Sequence, residues 1–287
     1  MQKTTQGWLN GFIGMVIFSG SLPATRMAVA GFDPTFLTVA RASIAGLLGG
    51  LLLLAFRQAR PTFREAFALA VVALCVVIGF PLLTAVALQH ITAARSLVFI
   101  GLLPLSTALF GVLRGGDRPR PAFWLFSCLG SLLVVGFALS QGIATASVGD
   151  GLMVCAILLC GLGYAEGARL SRHLGGWQVI CWALTIALPI SLILCILTMP
   201  SAFAQVQTSA WFGLAYVSLF SMLIGFVFWY RGLSQGGIAS VGQLQLLQPF
   251  FGLGLAAVLL HETISAAMIA TTFAVVACVA GARKFSR

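Results

Sequence analysis

Stretches of about 20 apolar residues follow one another along the whole chain, and almost every charged residue falls in the gaps between them. They lie near 8–29, 35–56, 66–89, 92–113, 121–140, 150–172, 177–199, 210–231, 239–260 and 265–283. Each has the length an α-helix needs to cross a hydrocarbon core of about 30 Å. The expectation is an all-α integral membrane protein of ten transmembrane helices. Composition agrees, with 60% hydrophobic and 8% charged residues, against roughly 25% charged in soluble domains.

The net charge of +10 is not a nucleic-acid signal, because the basic residues punctuate the apolar runs instead of gathering into one patch. They obey a topology rule. The N-terminus, every second connection and the C-terminus hold Lys3; Arg57, Arg60 and Arg64; Arg114, Arg118 and Arg120; Arg169 and Arg172; Arg231; and Arg283, Lys284 and Arg287. The other side has Arg26, Arg41 and Arg95, a distribution of 13 against 3. Both termini are therefore expected in the cytoplasm. Seven cysteines lie in apolar runs without a CxxC pair, which speaks against a disulfide framework or a zinc site.

Sliding the chain by 145 residues carries Pro104 onto Pro249, Asp117 onto Glu262, Gly136 onto Gly281 and Ala94 onto Ala239. Each half, 1–144 and 145–287, then holds five helices. Five is odd, so the second copy must insert upside down relative to the first. Such inverted repeats mark transporters that bind solute near the midplane.

The run LQHITAARSLVFIGLLPLSTALFGVLRGGD (88–117) resembles the signature of EamA-type ten-helix carriers of the drug/metabolite transporter superfamily. GGIASVGQLQLLQPFFGLGLAAVLLHETIS (236–265) repeats the pattern, and Arg41 matches that family's arginine early in helix two. Two departures are Asp117 in a Gly-Gly-Asp turn instead of glutamate, and Phe18 where tryptophan is usual. The resemblance implies a carrier whose helices one, three, four, six, eight and nine line a cavity. Within the superfamily it is similar to bacterial inner-membrane exporters of aromatic amino acids.

The ninth apolar run carries Gln243, Gln245, Gln248 and Pro249. Unpaired amides cost several kcal/mol in hydrocarbon, so they face protein or a wet cavity. Gln245 and Gln248, three apart, share a face that Phe251 and Gly252 extend. They either line a substrate path or tie helix nine to a neighbour. The residues 145 positions earlier are Ile100 and Leu103, so one wall would be polar and the other apolar. Further substrate-binding candidates are Ser19 and Ser21 beside Pro23, Thr84 after Pro81, and Leu103, with the aromatic residues Phe80, Phe99, Tyr164, Phe226 and Trp229. Charges within spans are functional hypotheses. Arg41 and Glu166 are candidates for a gate or proton site, against snorkelling for Arg41 and a local pair with Arg169 for Glu166. Gly14, Gly101, Gly225 and Gly252 are expected to let helices approach closely.

Gly232-Leu233-Ser234-Gln235-Gly236 matches the G-x-S-x-G nucleophile elbow, but the elbow needs a strand before its serine; His90 and His261 fall on the opposite side of the membrane, and His173, on the same side, sits between Arg172 and Gly175 in what reads as a solvated loop. An enzyme is not expected. No catalytic residue, metal or cofactor is expected either. The partners expected are a small molecule and the lipid bilayer, with no nucleic acid, in a monomer or homodimer of the inner membrane. The function expected is export of small amphipathic metabolites, foremost aromatic or large apolar amino acids. The alternatives are a multidrug or cationic-compound exporter, or a non-transporting scaffold or sensor.

Overall fold

The computed structural model describes residues 2–91, 96, 99–140, 148–200, 203–260 and 266–285. Ala94, Arg95, His261 and Glu262, which figured in the repeat and topology readings, lie outside them. The described residues form helices joined by short turns and include no strand. We label the rods α1 (Thr4–Val29), α2 (Pro34–Ala55), α3 (Phe63–His90), α4 (Leu103–Gly115), α5 (Pro121–Ser140), α6 (Val148–Leu174), α7 (Gly176–Leu197), α8 (Thr208–Gly236), α9 (Ile238–Gly242 through Gln248–Leu260) and α10 (Ala266–Lys284). Six of them, α1, α2, α3, α6, α7 and α8, are long and apolar enough to cross a membrane. Leu51, Leu54, Phe67, Leu132, Leu197 and Phe273 are each more than 60% exposed, a belt of apolar surface that a bilayer would cover.

Local chemistry sets the ends. Asp33 caps α2, accepting from the amides of Thr35 (2.7 Å) and Phe36 (3.3 Å), with Pro34 behind it. Thr62 and Glu65 form a capping box at the start of α3. Gly175 (φ 92°) and Gly237 (φ 95°) each turn the chain between two rods in a single residue, a backbone conformation that a side chain would strain.

Packing follows a regular scheme. The most extensive contact joins α1 to α8, and α6 packs along α3 in the corresponding way; α2 lies on α7, α4 on α9 and α5 on α10. At the α1–α8 seam the backbones touch through glycines. A Cβ on Gly7 would sit 2.6 Å from the Gly236 nitrogen, and one on Gly232 2.6 Å from the Gly11 nitrogen. Gly14 and Gly225 extend the seam against Trp229 and Phe18. The G-x-S-x-G motif is thus two contact points of a helix pair, with Ser234 hydrogen-bonded to the Arg231 carbonyl one turn back.

Irregular turns recur at the spacing of the sequence repeat. A π-helical segment interrupts α3 at Ala73–Gly79 and another interrupts α8 at Val217–Ile224. To within a residue that is the 145-residue offset that carries Pro104 onto Pro249. The backbone also breaks just before each of those prolines, as a turn at 101–102 and a 3₁₀ segment at Gln243–Leu247. In α1 the break is at Gly20, where the Tyr216 hydroxyl donates to the Ile17 carbonyl at 2.8 Å, and Pro23 cannot donate to the turn before it.

Candidate functional site

These breaks surround one interior cavity, lined from seven rods: α1, α2, α3, α4, α6, α8 and α9. It offers about 30 Å³, room for a water molecule or two. Eight residues singled out in the sequence line it: Ser21, Arg41, Phe80, Thr84, Leu103, Tyr164, Phe226 and Gln248. Phe18, Leu22, Thr25, Val76, Pro81, Ile100 and Ser221 complete it.

Its base is aromatic. Phe18 stacks on Tyr164 at 6.3 Å and meets Phe226 edge-on at 5.0 Å. Trp229 packs beneath both Phe18 (6.0 Å) and Tyr164 (5.3 Å), and Tyr230 backs Phe226 at 5.3 Å. Its polar side gathers on Ser221. Ser21 donates to the Ser221 hydroxyl oxygen at 2.7 Å, and Arg41 Nη2 donates to the same atom at 3.3 Å. Gln248 Nε2 donates to the Phe18 carbonyl at 3.3 Å, while its Oε1 has no partner. Thr84 is in the wall with its proton spent on the Phe80 and Pro81 carbonyls, 2.8 and 3.0 Å away.

Five other candidates, Ser19, Phe99, Trp229, Gln245 and Glu166, lie outside the lining. Ser19 bonds the Met15 carbonyl in its own helix. Phe99 packs against the core, and Trp229 forms the layer under the cavity. Gln245 is fully buried with neither amide atom paired. Gln245 lies in the 3₁₀ segment Gln243–Leu247 and Gln248 opens the helix that follows. Phe251, expected to extend the face of Gln245 and Gln248, is 40% exposed and meets Phe12 edge-on. Gln243 donates to Ser127 of α5 at 3.0 Å and ties two rods together.

Glu166 is fully buried between two half-exposed guanidiniums. Arg114 of α4 reaches it at 3.2 Å, and Arg169 binds its other oxygen. Close by, Arg172 contacts Asp117 (3.4 Å) and the Gly115 carbonyl (3.1 Å). Asp117 in turn accepts from the Ala239 amide at 2.7 Å, placing its negative charge at the N-terminus of α9. So α4, α6 and α9 are stapled at the end of the bundle where the arginine-rich turns lie. Between that staple and the cavity sit Trp229, Tyr230 and Gln245, all fully buried.

Leu22, Thr25, Val76 and Ser221 line the cavity without having been singled out, and Phe18 was noted in the sequence but not as a site residue. Ser218 and Ser221, three apart in an apolar run, were a usable signal for Ser221. Phe18 lies three positions before Ser21, on the same helical side. The two glutamines now separate into different tests. Gln248→Leu should lower transport about tenfold, ~1.4 kcal/mol. Gln245→Leu, outside the lining, should lower transport less than Gln248→Leu does. Thermal melting and liposome flux on both variants check this.

Comparison with known proteins adds the following. The EamA-like transporter family model matches residues 5–139 and again 147–283. A Bacillus subtilis (strain 168) protein named uncharacterized transporter YdeK is 65% identical over 287 residues, covering 100% of both chains. Among solved structures, one crystal structure superposes with a TM-score of 0.79 at 21% identity, over 96% of this chain and 97% of the other. At that identity the likeness speaks for the fold.

Proposed function

The chain belongs to the EamA-like transporter family, a multi-pass membrane carrier of small molecules and not an enzyme, and from that footing we propose that it exports aromatic and other large apolar amino acids. The observation that carries the reading is the cavity itself, with Phe18, Phe80, Tyr164 and Phe226 for an apolar side chain and Ser21, Arg41, Ser221 and Gln248 for a polar head. An amphipathic solute matches both.

In this reading ten helices cross the inner membrane, in two inverted halves, 1–144 and 145–287. The arginine-rich end faces the cytoplasm, with both termini. The paired π segments and the symmetric helix contacts support the two-half arrangement. Solute enters when the halves part on the cytoplasmic side and leaves when they rock the other way. The 30 Å³ cavity is then a contracted stage between the two openings, with the Arg114–Glu166–Arg169 staple closing the cytoplasmic side. A monomer or homodimer suffices, and no nucleic acid takes part.

Flux of labelled phenylalanine into liposomes holding the purified protein, compared with empty liposomes, tests the proposal. Saturable flux at least about tenfold above background is expected, the size of one lost transition-state interaction and easily resolved. Repeating it across a pH gradient separates facilitated from proton-coupled movement. Flux of organic cations with none of phenylalanine would replace this reading with the multidrug one. No flux of either would leave the scaffold.

A further inference from the structure

Among the described residues Arg41 is the one charged side chain in the cavity wall, and none of them supplies it a counter-charge. It is 6% exposed. Among the described residues its single hydrogen bond is the 3.3 Å contact from Nη2 to Ser221, and its buried Nε meets no acceptor there. Among the described residues no carboxylate pairs with it. Asp33 is spent on the amides of Thr35 and Phe36, and Glu166 on Arg114 and Arg169. The residue 145 positions on is Ile186, so the second half brings no matching charge.

A guanidinium stays charged in any protein environment, and a buried unpaired charge is strongly unfavourable. The group with most to gain from occupying this cavity is therefore an anion. A planar carboxylate fits best, because Nε and a neighbouring guanidinium nitrogen present two parallel donors to it.

We propose that Arg41 is the carboxylate-binding group of this carrier, so that its solutes are organic acids or amino acids and not amines. The inference rests on the transport reading above and sharpens its substrate class. The opposite need is met by Gln248, whose unpartnered Oε1 lies in the same wall and accepts a hydrogen bond from the ammonium of an amino acid. No acid lines the cavity, so a plain amine finds the Arg41 charge against it and nothing to offset its own.

The test is binding to the purified protein by titration calorimetry. The aromatic series is phenylalanine, 3-phenylpropanoate, phenylalanine amide and phenethylamine; the aliphatic series is leucine, 4-methylpentanoate, leucine amide and 3-methylbutylamine. Carboxylates should bind, and their amide or amine counterparts should bind at least about tenfold more weakly, the scale of one charge-assisted hydrogen bond. Arg41→Gln should weaken carboxylates about 10- to 100-fold and erase the preference, with Arg41→Lys in between. Melting temperature should not fall in Arg41→Gln, since no ion pair within the protein is lost.

Unchanged affinity in Arg41→Gln, or amines binding the wild type as well as carboxylates, would overturn the proposal. So would a melting temperature lowered in both variants together with binding, which would mark Arg41 as structural. Aliphatic carboxylates binding through Arg41 while the aromatic series does not would keep the proposal and discard the aromatic substrate. If no carboxylate of either series binds the wild type, both fail.

Discussion

Gly232→Leu should yield no folded protein from membranes under conditions that give monodisperse wild type. The α1–α8 seam leaves no volume at this point: even a Cβ would lie 2.6 Å from the Gly11 nitrogen and 2.8 Å from its Cα. These are backbone atoms of a second helix, so relief requires the two rods to separate along their whole contact. Overpacking by a single methyl costs about 1–3 kcal/mol, and an isobutyl group here exceeds what a domain of ordinary stability can absorb. Gly232→Ala gives the graded version. It gains about 1 kcal/mol of helix propensity and loses more to the clash, so a measurable fall in melting temperature is expected. Normal yield and melting behaviour of the leucine variant would show that the rods do not meet this way.

The second large effect is expected at the staple. Glu166 is the shared acceptor for Arg114 and Arg169, and it alone joins the end of α4 to α6 through a fully buried charge. Glu166→Gln leaves two guanidiniums facing a neutral amide. Because both arginines are about half exposed, they turn to water, and the loss is confined to the contact between the rods. The arginine-rich end should open more often. Cys160, fully buried on α6, reports it: with the other cysteines replaced, its alkylation by a membrane-permeant maleimide should accelerate about tenfold, a ~1.4 kcal/mol shift toward the open form. An unchanged rate would leave Glu166 as a fixed brace.

The chain's architecture is written in its hydropathy because lipid imposes one rule on every span. The expected boundaries of α2, 35–56, and α6, 150–172, differ from those found, Pro34–Ala55 and Val148–Leu174, by one or two residues. For α8 the expected end at 231 falls five residues short of Gly236. Hydropathy drops there at Arg231 and Ser234, but the helix continues because Gly232 and Gly236 are held against α1.

The site was less legible. Polar residues in apolar runs pointed to the right walls, since Ser21, Thr84, Arg41 and Gln248 all line the cavity. Which of two neighbouring glutamines lines it is set by what packs against each, Gln248 in the wall and Gln245 in the core, and spacing along one helix cannot reveal that. Ser19 and Ser21 divide for a simpler reason, since residues two apart on a helix point about 200° apart. Gly14 and Gly225, expected to admit close approach, do extend the glycine seam; Gly232 and Gly236 were missed because they resembled a catalytic elbow.

The two π segments hold one residue of slack each, in α3 and in α8. A wide turn is a dislocation: it can migrate along a helix by exchanging one hydrogen bond for the next, and each step rotates the passed residue by about 100° relative to the rest. Val76 and Ser221 lie within the dislocations and also in the cavity wall. Glide of the slack in α8 would swing Ser221 away from Arg41, and glide in α3 would change which apolar group faces it. Such glide in both π segments would act as a mechanical escapement, two helices re-indexing their cavity-facing residues while the glycine seam stays engaged.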